Sequence, residues 1–167
     1  MKPIVVGLGN PLLGDDGIGV LSARRLAAMI SEQADVVESG TAGLSLLDLI
    51  LGRDQAVFID AIVTKKHEPG TVIQMAMSDL SGHQVCSPHY ADLPEVLRVG
   101  RSLGFVVPSR IDIVAVEVLD PYTVGAGLSD PVAAAMDCVV ETVLRLIGDG
   151  RSSAKGDAPN DANETKT

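Results

Sequence analysis

The chain has 167 residues, of which 46% are hydrophobic and only 2% aromatic, enough for one domain with a core of Val, Leu, Ile and Ala. Its net charge is −9, from 13 Lys and Arg against 22 Asp and Glu, which disfavours nucleic acid and anionic membranes as partners. Two cysteines are too few for a disulfide framework, and no apolar run resembles a signal peptide or a membrane span, so we expect a cytoplasmic protein.

Strand candidates alternate with helix candidates along the chain. The predicted strands are, approximately, residues 3–8, 35–38, 56–61, 71–76 and 111–119. The predicted helices are residues 17–30, 44–51, 93–103 and a last one capped by Asp130 and ended by Gly148. This alternation predicts a single α/β domain over residues 1–148, with a twisted, mostly parallel five-stranded sheet between helices. The polar residues 149–167 are predicted to form a disordered tail.

The most informative stretch, residues 7–19, connects the first strand to the first helix and reads Gly-Leu-Gly-Asn-Pro-Leu-Leu-Gly-Asp-Asp-Gly-Ile-Gly. A glycine-rich turn at this place usually cradles a phosphate. Here Asp15 and Asp16 stand where a phosphate would need backbone N–H groups and no negative charge, so the turn favours a cation. We expect one of the two aspartates to cap the first helix, and Asp16 to be the freer one.

Other polar residues follow the predicted strands, and in an open parallel sheet ligands bind outside the carboxyl ends of the strands. These residues are Glu38 and the turn at 40–43 after the second strand, Asp60 after the third, and His83, Cys86 and His89 after the fourth. Two carboxylates and an imidazole meeting at one edge predict a metal site with open positions, formed by Asp16, Asp60 and His89. Each of the three also has a plain interpretation as an ordinary loop or surface residue.

Taken in order, these motifs resemble those of the hydrogenase maturation endopeptidases, which process the large subunit of nickel–iron hydrogenases. The resemblance covers about residues 3–147. It rests on residues 7–19, Gly-Thr-Ala-Gly-Leu-Ser-Leu-Leu at 40–47, Ile-Asp-Ala at 59–61, Ser-Pro-His at 87–89 and Leu-Ser-Asp-Pro-Val at 128–132. It implies a twisted sheet between helices, of the phosphorylase/hydrolase type.

The resemblance also implies an activity and a set of site residues. The family removes a C-terminal extension from the hydrogenase large-subunit precursor after nickel insertion, and its metal contacts match Asp16, Asp60 and His89. Since nickel would arrive with the precursor, held by cysteine thiolates, we expect weak or no metal binding by this chain alone and no cofactor of its own. Catalysis is assigned to Asp16 and Asp60, either of which could activate the attacking water.

Three alternatives stay open at this point. The peptidyl-tRNA hydrolases share the opening Gly-Leu-Gly-Asn-Pro, but their Thr-Arg-His-Asn motif is replaced here by Gly-Asp-Asp-Gly. A dinucleotide-binding module would need a glycine where Leu12 stands, and only Glu38, a candidate ribose ligand, favours it. The third is a binding-only relative, against which the retention of the three site residues argues. Residues 62–82, with a hairpin-like Pro69-Gly70, match no family motif and are interpreted either as a substrate-selecting segment or as loop drift.

Overall fold

The computed structural model describes residues 2–77, His89 and residues 93–153. The strands are β1 (Ile4–Leu8), β2 (Asp35–Ser39), β3 (Gln55–Ile62), β4 (Val72–Ala76) and β5 (Arg110–Glu117). The helices are α1 (Ile18–Ile30), α2 (Ser45–Ile50), α3 (Leu93–Ser102) and α4 (Asp130–Ser153), and a 3-10 turn, Gly14–Gly17, precedes α1. Among these described helices, none is both long and apolar enough to cross a membrane.

The five strands form one sheet in the order β2-β1-β3-β5-β4. All neighbours pair in parallel except β4, which runs antiparallel to β5. The predicted α/β class and the mostly parallel five-stranded sheet are therefore confirmed. Because β5 lies between β3 and β4, the turn at Pro69-Gly70 does not close a hairpin between neighbouring strands, contrary to its appearance in the sequence.

The last helix, α4, begins and ends differently from the prediction. The carbonyl of Ser129 accepts the hydrogen bond from Ala133 N at 2.8 Å, so Ser129 and not Asp130 precedes the first helical turn. The helix also continues past Gly148 to Ser153, which includes the first residues of the predicted tail. The remainder of that tail, residues 154–167, lies outside the described residues, as do His83 and Cys86.

The sheet is covered on both faces, which explains the apolar sequences of its central strands. Every residue of β3 is buried, and its side chains alternate between the two faces. Val57 and Ile59 pack in the core formed with α1 and α4, whereas Phe58 and Ile62 pack in the core formed with α2 and α3. Asp60 lies between Phe58 and Ile62 in this alternation and therefore belongs to the α2 and α3 face.

Glycines in the first loop and at the start of α1 set how closely α1 approaches the sheet. A Cβ atom on Gly19 would lie 2.2 Å from the carbonyl oxygen of Leu8 and 2.4 Å from that of Ile59. A Cβ atom on Gly9 would lie 2.1 Å from the carbonyl oxygen of Asp16. The glycine-rich turn thus allows a helix to pack tightly on the sheet, and it holds Asp16 against the carboxyl end of β1.

Candidate functional site

Three side chains converge at the carboxyl edge of the sheet. Asp16 from the 3-10 turn, Asp60 from β3 and His89 from the chain before α3 each offer one ligand atom, and these atoms lie within 4.8 Å of one another. We call these three residues the acid–imidazole cluster. Asp60 is fully buried and the other two are half-buried. Two carboxylates at this separation repel each other, so a cation between them would lower the energy of the site.

Asp60 lies in β3, next to the point where the pairing between β1 and β3 ends. It does not end its strand as the sequence suggests, because β3 continues to Ile62. However, the last pair between β1 and β3 is Gly7 with Ile59, so Asp60 is the first residue of β3 after that pairing ends. Its Oδ1 accepts a hydrogen bond from Ala61 N at 2.9 Å, which fixes the orientation of the carboxylate.

Asp16 is positioned by the tight turn that contains it. Its backbone N donates to the carbonyl of Leu13 at 2.9 Å, and its Oδ2 accepts from Asn10 N at 2.6 Å. Neither the 3-10 turn nor α1 has a side-chain cap, so the prediction that one of the paired aspartates caps the first helix is wrong. The turn instead presents the Asp16 carboxylate to the cluster.

Asp15, the neighbour of Asp16, has a structural role. Its carboxylate is 1% exposed and accepts hydrogen bonds from Ser129 N at 2.7 Å, Ser129 Oγ at 3.0 Å and Asp120 N at 3.4 Å. Its backbone N donates to the carbonyl of Asp120 at 3.0 Å. Asp15 therefore joins the first loop to the segment that leads into α4. In the sequence, the one feature that could have indicated this contact is Ser129, which precedes Asp130-Pro131 at the start of the last helix.

His89 is oriented by the turn that follows β2. Its Nδ1 lies 3.3 Å from the carbonyl oxygen of Thr41. Because a carbonyl oxygen only accepts, Nδ1 carries the proton in this contact, and Nε2 is the nitrogen suited to a metal. The Thr41 backbone is held in turn by Ser39, whose Oγ accepts from Thr41 N at 3.1 Å. Such a carbonyl contact behind a histidine is typical of metal ligands. Thr41 belongs to the Gly-Thr-Ala-Gly motif, although the sequence did not indicate this task.

Glu38, the residue that favoured a dinucleotide, is engaged elsewhere. Its two carboxylate oxygens accept from Nε and Nη2 of Arg24, both at 2.9 Å. This hydrogen bond and the opposite charge raise the pKa of Arg24. Glu38 therefore links the end of β2 to α1 and is already bonded where a ribose hydroxyl would have to bind.

The donor set of the cluster is two carboxylate oxygens and one imidazole nitrogen. Such a set suits divalent transition metals, and three protein ligands leave positions open for further ligands. The site can thus contact a metal that other groups also hold. The two carboxylates are, in addition, the kind of group that activates water as a general base.

Comparison with solved structures places this fold in the class of hydrogenase maturation proteases. The hydrogenase maturating endopeptidase HybD from Escherichia coli superposes with a TM-score of 0.75, at 30% identity, over 90% of this chain and 94% of that chain. The NiFe hydrogenase maturation protease HybD from Thermococcus kodakarensis superposes with a TM-score of 0.72, at 27% identity, over 88% of this chain and 99% of that chain.

Sequence comparison agrees with the structural one. The hydrogenase 2 maturation protease from Escherichia coli is 33% identical over 153 residues, which are 88% of this chain and 91% of the relative. The model of the hydrogenase maturation protease family matches residues 20–146. The chain belongs to this family and is a hydrogenase maturation endopeptidase. This result confirms the resemblance drawn from the motifs and decides against the tRNA hydrolase, the dinucleotide module and the binding-only relative.

Proposed function

We propose that this chain removes a C-terminal extension from the large-subunit precursor of a nickel–iron hydrogenase, in the cytoplasm, once nickel has been inserted. Membership of the family supports the reaction class. The single observation that supports the nickel requirement is the acid–imidazole cluster, in which the ligand atoms of Asp16, Asp60 and His89 lie within 4.8 Å of one another.

The cluster is suited to recognising a metal that the substrate carries. Carboxylate and imidazole ligands accept nickel, and three ligands do not complete its coordination. Nickel held by precursor thiolates would then gain the missing ligands only at this edge of the sheet. A precursor without nickel would offer no cation to the two facing carboxylates, so it would bind more weakly than the loaded precursor. We therefore propose that the chain alone binds metal weakly, so that it distinguishes loaded from empty precursors.

We assign the hydrolytic step to Asp16, with Asp60 as the second carboxylate. Asp60 is fully buried, whereas Asp16 is half-buried and can meet a water molecule. Asp16 would take a proton from water as the water oxygen attacks the scissile carbonyl carbon. The same proton would pass to the amide nitrogen as the C–N bond breaks, so that one water is consumed and the carboxylate is restored.

Mass spectrometry of the precursor tests this proposal. Nickel-loaded and nickel-free precursors are incubated with the protein, with Asp16→Asn and with Asp137→Asn, a control that makes the same change at an exposed aspartate paired with Arg25 on the outer helices. We expect loss of a C-terminal peptide only from the loaded precursor, with the wild type and the control but not with Asp16→Asn. Equal cleavage of both precursors would contradict the nickel requirement, and full activity of Asp16→Asn would remove Asp16 from the mechanism.

A further inference from the structure

Four large apolar side chains are strongly exposed on two loops at the carboxyl edge. Leu12 lies in the loop after β1, and the other three lie in the segment between β5 and α4. Their exposed fractions are 67% for Leu12, 75% for Leu119, 78% for Tyr122 and 77% for Val124. We call these four residues the apolar rim. Exposed apolar side chains that share one region of a surface commonly mark a binding site.

The two loops of the apolar rim are joined to each other. Val124 pairs with Leu13 in an isolated antiparallel bridge, and Gly125 N donates to the carbonyl of Leu12 at 2.9 Å. The carboxylate of Asp15 accepts hydrogen bonds from both ends of the segment 120–129. The rim is thus carried on a clamped segment, which reduces the conformational entropy lost when a partner binds.

The apolar rim is also continuous with the acid–imidazole cluster. Leu12 and Asp16 belong to one turn, in which Asp16 N donates to Leu13 O and Asp16 Oδ2 accepts from Asn10 N. A polypeptide whose bond reaches Asp16 must therefore pass close to Leu12 and to Val124, which pairs with the neighbouring Leu13. The rim lies where the body of a protein substrate would rest.

The local composition indicates the chemistry of that partner. The chain has a net charge of −9, yet residues 119–129 contain a single charged side chain, Asp120. The Asp120 carboxylate is occupied within its own turn, where it accepts from Tyr122 N at 3.0 Å, Thr123 N at 3.1 Å and the Thr123 hydroxyl. Because the rim is apolar and carries no free charge, it fits an apolar surface of a partner better than a basic surface, although the protein as a whole is acidic.

We propose that the apolar rim is the docking surface for the hydrogenase large-subunit precursor, contacting an apolar segment of that protein next to the bond to be cleaved. This inference rests on the proposed function for the identity of the partner. The rim supplies affinity for the precursor, and the acid–imidazole cluster supplies recognition of the metal and the chemistry.

Serine substitutions at the rim test the proposal, because these side chains are exposed and their replacement leaves the core intact. The test variants are the single variant Val124→Ser and the double variant that combines Tyr122→Ser and Val124→Ser. The matched control is Val106→Ser, a valine that is 66% exposed on the loop before β5, at the opposite edge of the sheet. Two quantities are measured for each protein: the KM and kcat for nickel-loaded precursor, and the Kd for nickel-free precursor immobilised on a sensor surface.

We expect KM and Kd to rise by about tenfold for the double variant, since exposed aromatic and aliphatic anchors of this kind often contribute that much, with little effect of Val106→Ser. Wild-type KM and Kd in the double variant would overturn the proposal, as would equal losses in the control. If the wild type binds the precursor but cleaves nothing, the proposed function fails while the Kd comparison still decides the docking surface. Sedimentation at the assay concentrations tests whether the rim instead binds a second copy of this chain. If Val124→Ser abolishes self-association but leaves the Kd for the precursor unchanged, the proposal is also overturned.

Discussion

Two pairs of carboxylates at opposite edges of the sheet have opposite electrostatic surroundings. At the amino edge, Asp112 accepts from Arg110 Nε at 2.8 Å and from Gln55 Nε2 at 3.2 Å, and Asp35 pairs with Arg53. At the carboxyl edge, two carboxylates and an imidazole of the acid–imidazole cluster converge within 4.8 Å. Asp112 and Asp35 are thus each paired with an arginine, whereas Asp16 and Asp60 bring two negative charges together.

This difference distinguishes carboxylates that stabilise the fold from carboxylates that the fold positions for binding and catalysis. The bonds of Asp112 connect β5 to β3, and Gln55 also donates to the carbonyl of Leu146 in α4 at 3.2 Å. Converging like charges contribute no such stabilisation, and they are expected where a protein gives up stability for function. The comparison thus points to the carboxyl edge as the place where a cationic ligand is needed.

The largest expected effect is the contrast between Asp60→Asn and Asp112→Asn. Asp60→Asn should reduce processing of nickel-loaded precursor by a factor on the order of 10² or more, because a charged ligand and candidate base is lost. Its Tm should fall less than that of Asp112→Asn, since a repulsion is removed and the oxygen that accepts from Ala61 N is kept. Processing is followed by mass spectrometry and Tm by calorimetry.

Asp112→Asn should show the reverse pattern. Its neutral amide weakens the charge-assisted bond to Arg110, so Tm should fall while processing, assayed well below Tm, stays at the wild-type level. A larger loss of Tm in Asp60→Asn than in Asp112→Asn would break the comparison between the two edges.

The second effect, intermediate in size, concerns Asp15. In the wild type, the two carboxylate oxygens of Asp15 accept hydrogen bonds from Ser129 and Asp120. The side chain of Asn has only one acceptor oxygen, so the substitution leaves a buried donor unpaired. Asp15→Asn should therefore lower the free energy of unfolding by about 2 kcal/mol, measured by urea denaturation. The neighbouring Asp16→Asn, measured in parallel, should change it much less. Equal losses of stability in the two variants would contradict the division of roles between the paired aspartates.

The smallest effect is a dependence on pH at Asp120. The Thr123 hydroxyl, and after it the backbone N–H groups of Tyr122 and Thr123, hold the pKa of this exposed carboxyl below its ordinary value of 3.8. The resulting stabilisation is fully present above the ordinary value and is lost as the pH falls through the lowered pKa. Asp120→Asn should thus lower Tm slightly at neutral pH, and the difference from the wild type should disappear in acid. A difference that persists unchanged in acid would mean that the ionised carboxylate is not its cause.

The two carboxylates of the cluster could be predicted from the sequence because the rule for parallel sheets is geometric. Asp16 and Asp60 follow the cores of adjacent parallel strands, so their carboxylates must meet at the same edge whatever the details of the loops. The alternation of elements likewise predicted the five strands, although β4 pairs antiparallel with β5. An edge strand can run in either direction, and its local sequence does not distinguish the two.

The role of Asp15 could not be predicted from its neighbours in the sequence. An aspartate before a helix is favoured as a cap by its local surroundings alone. The actual donors, on Ser129 and Asp120, are separated from it by 114 and 105 residues. Only the packing of the first loop against the segment before α4 decides between a cap and a long-range clamp. The same holds for His89, whose bond to Thr41 spans 48 residues.

The central claim is that the acid–imidazole cluster ligates the nickel that the precursor carries. X-ray absorption at the nickel edge, recorded on loaded precursor freeze-quenched with wild-type protein or with His89→Ala before cleavage, tests it most directly. We expect added oxygen and nitrogen ligands at nickel with the wild type and fewer with His89→Ala. An unchanged nickel spectrum on mixing with a wild-type protein that goes on to cleave the same precursor would contradict it.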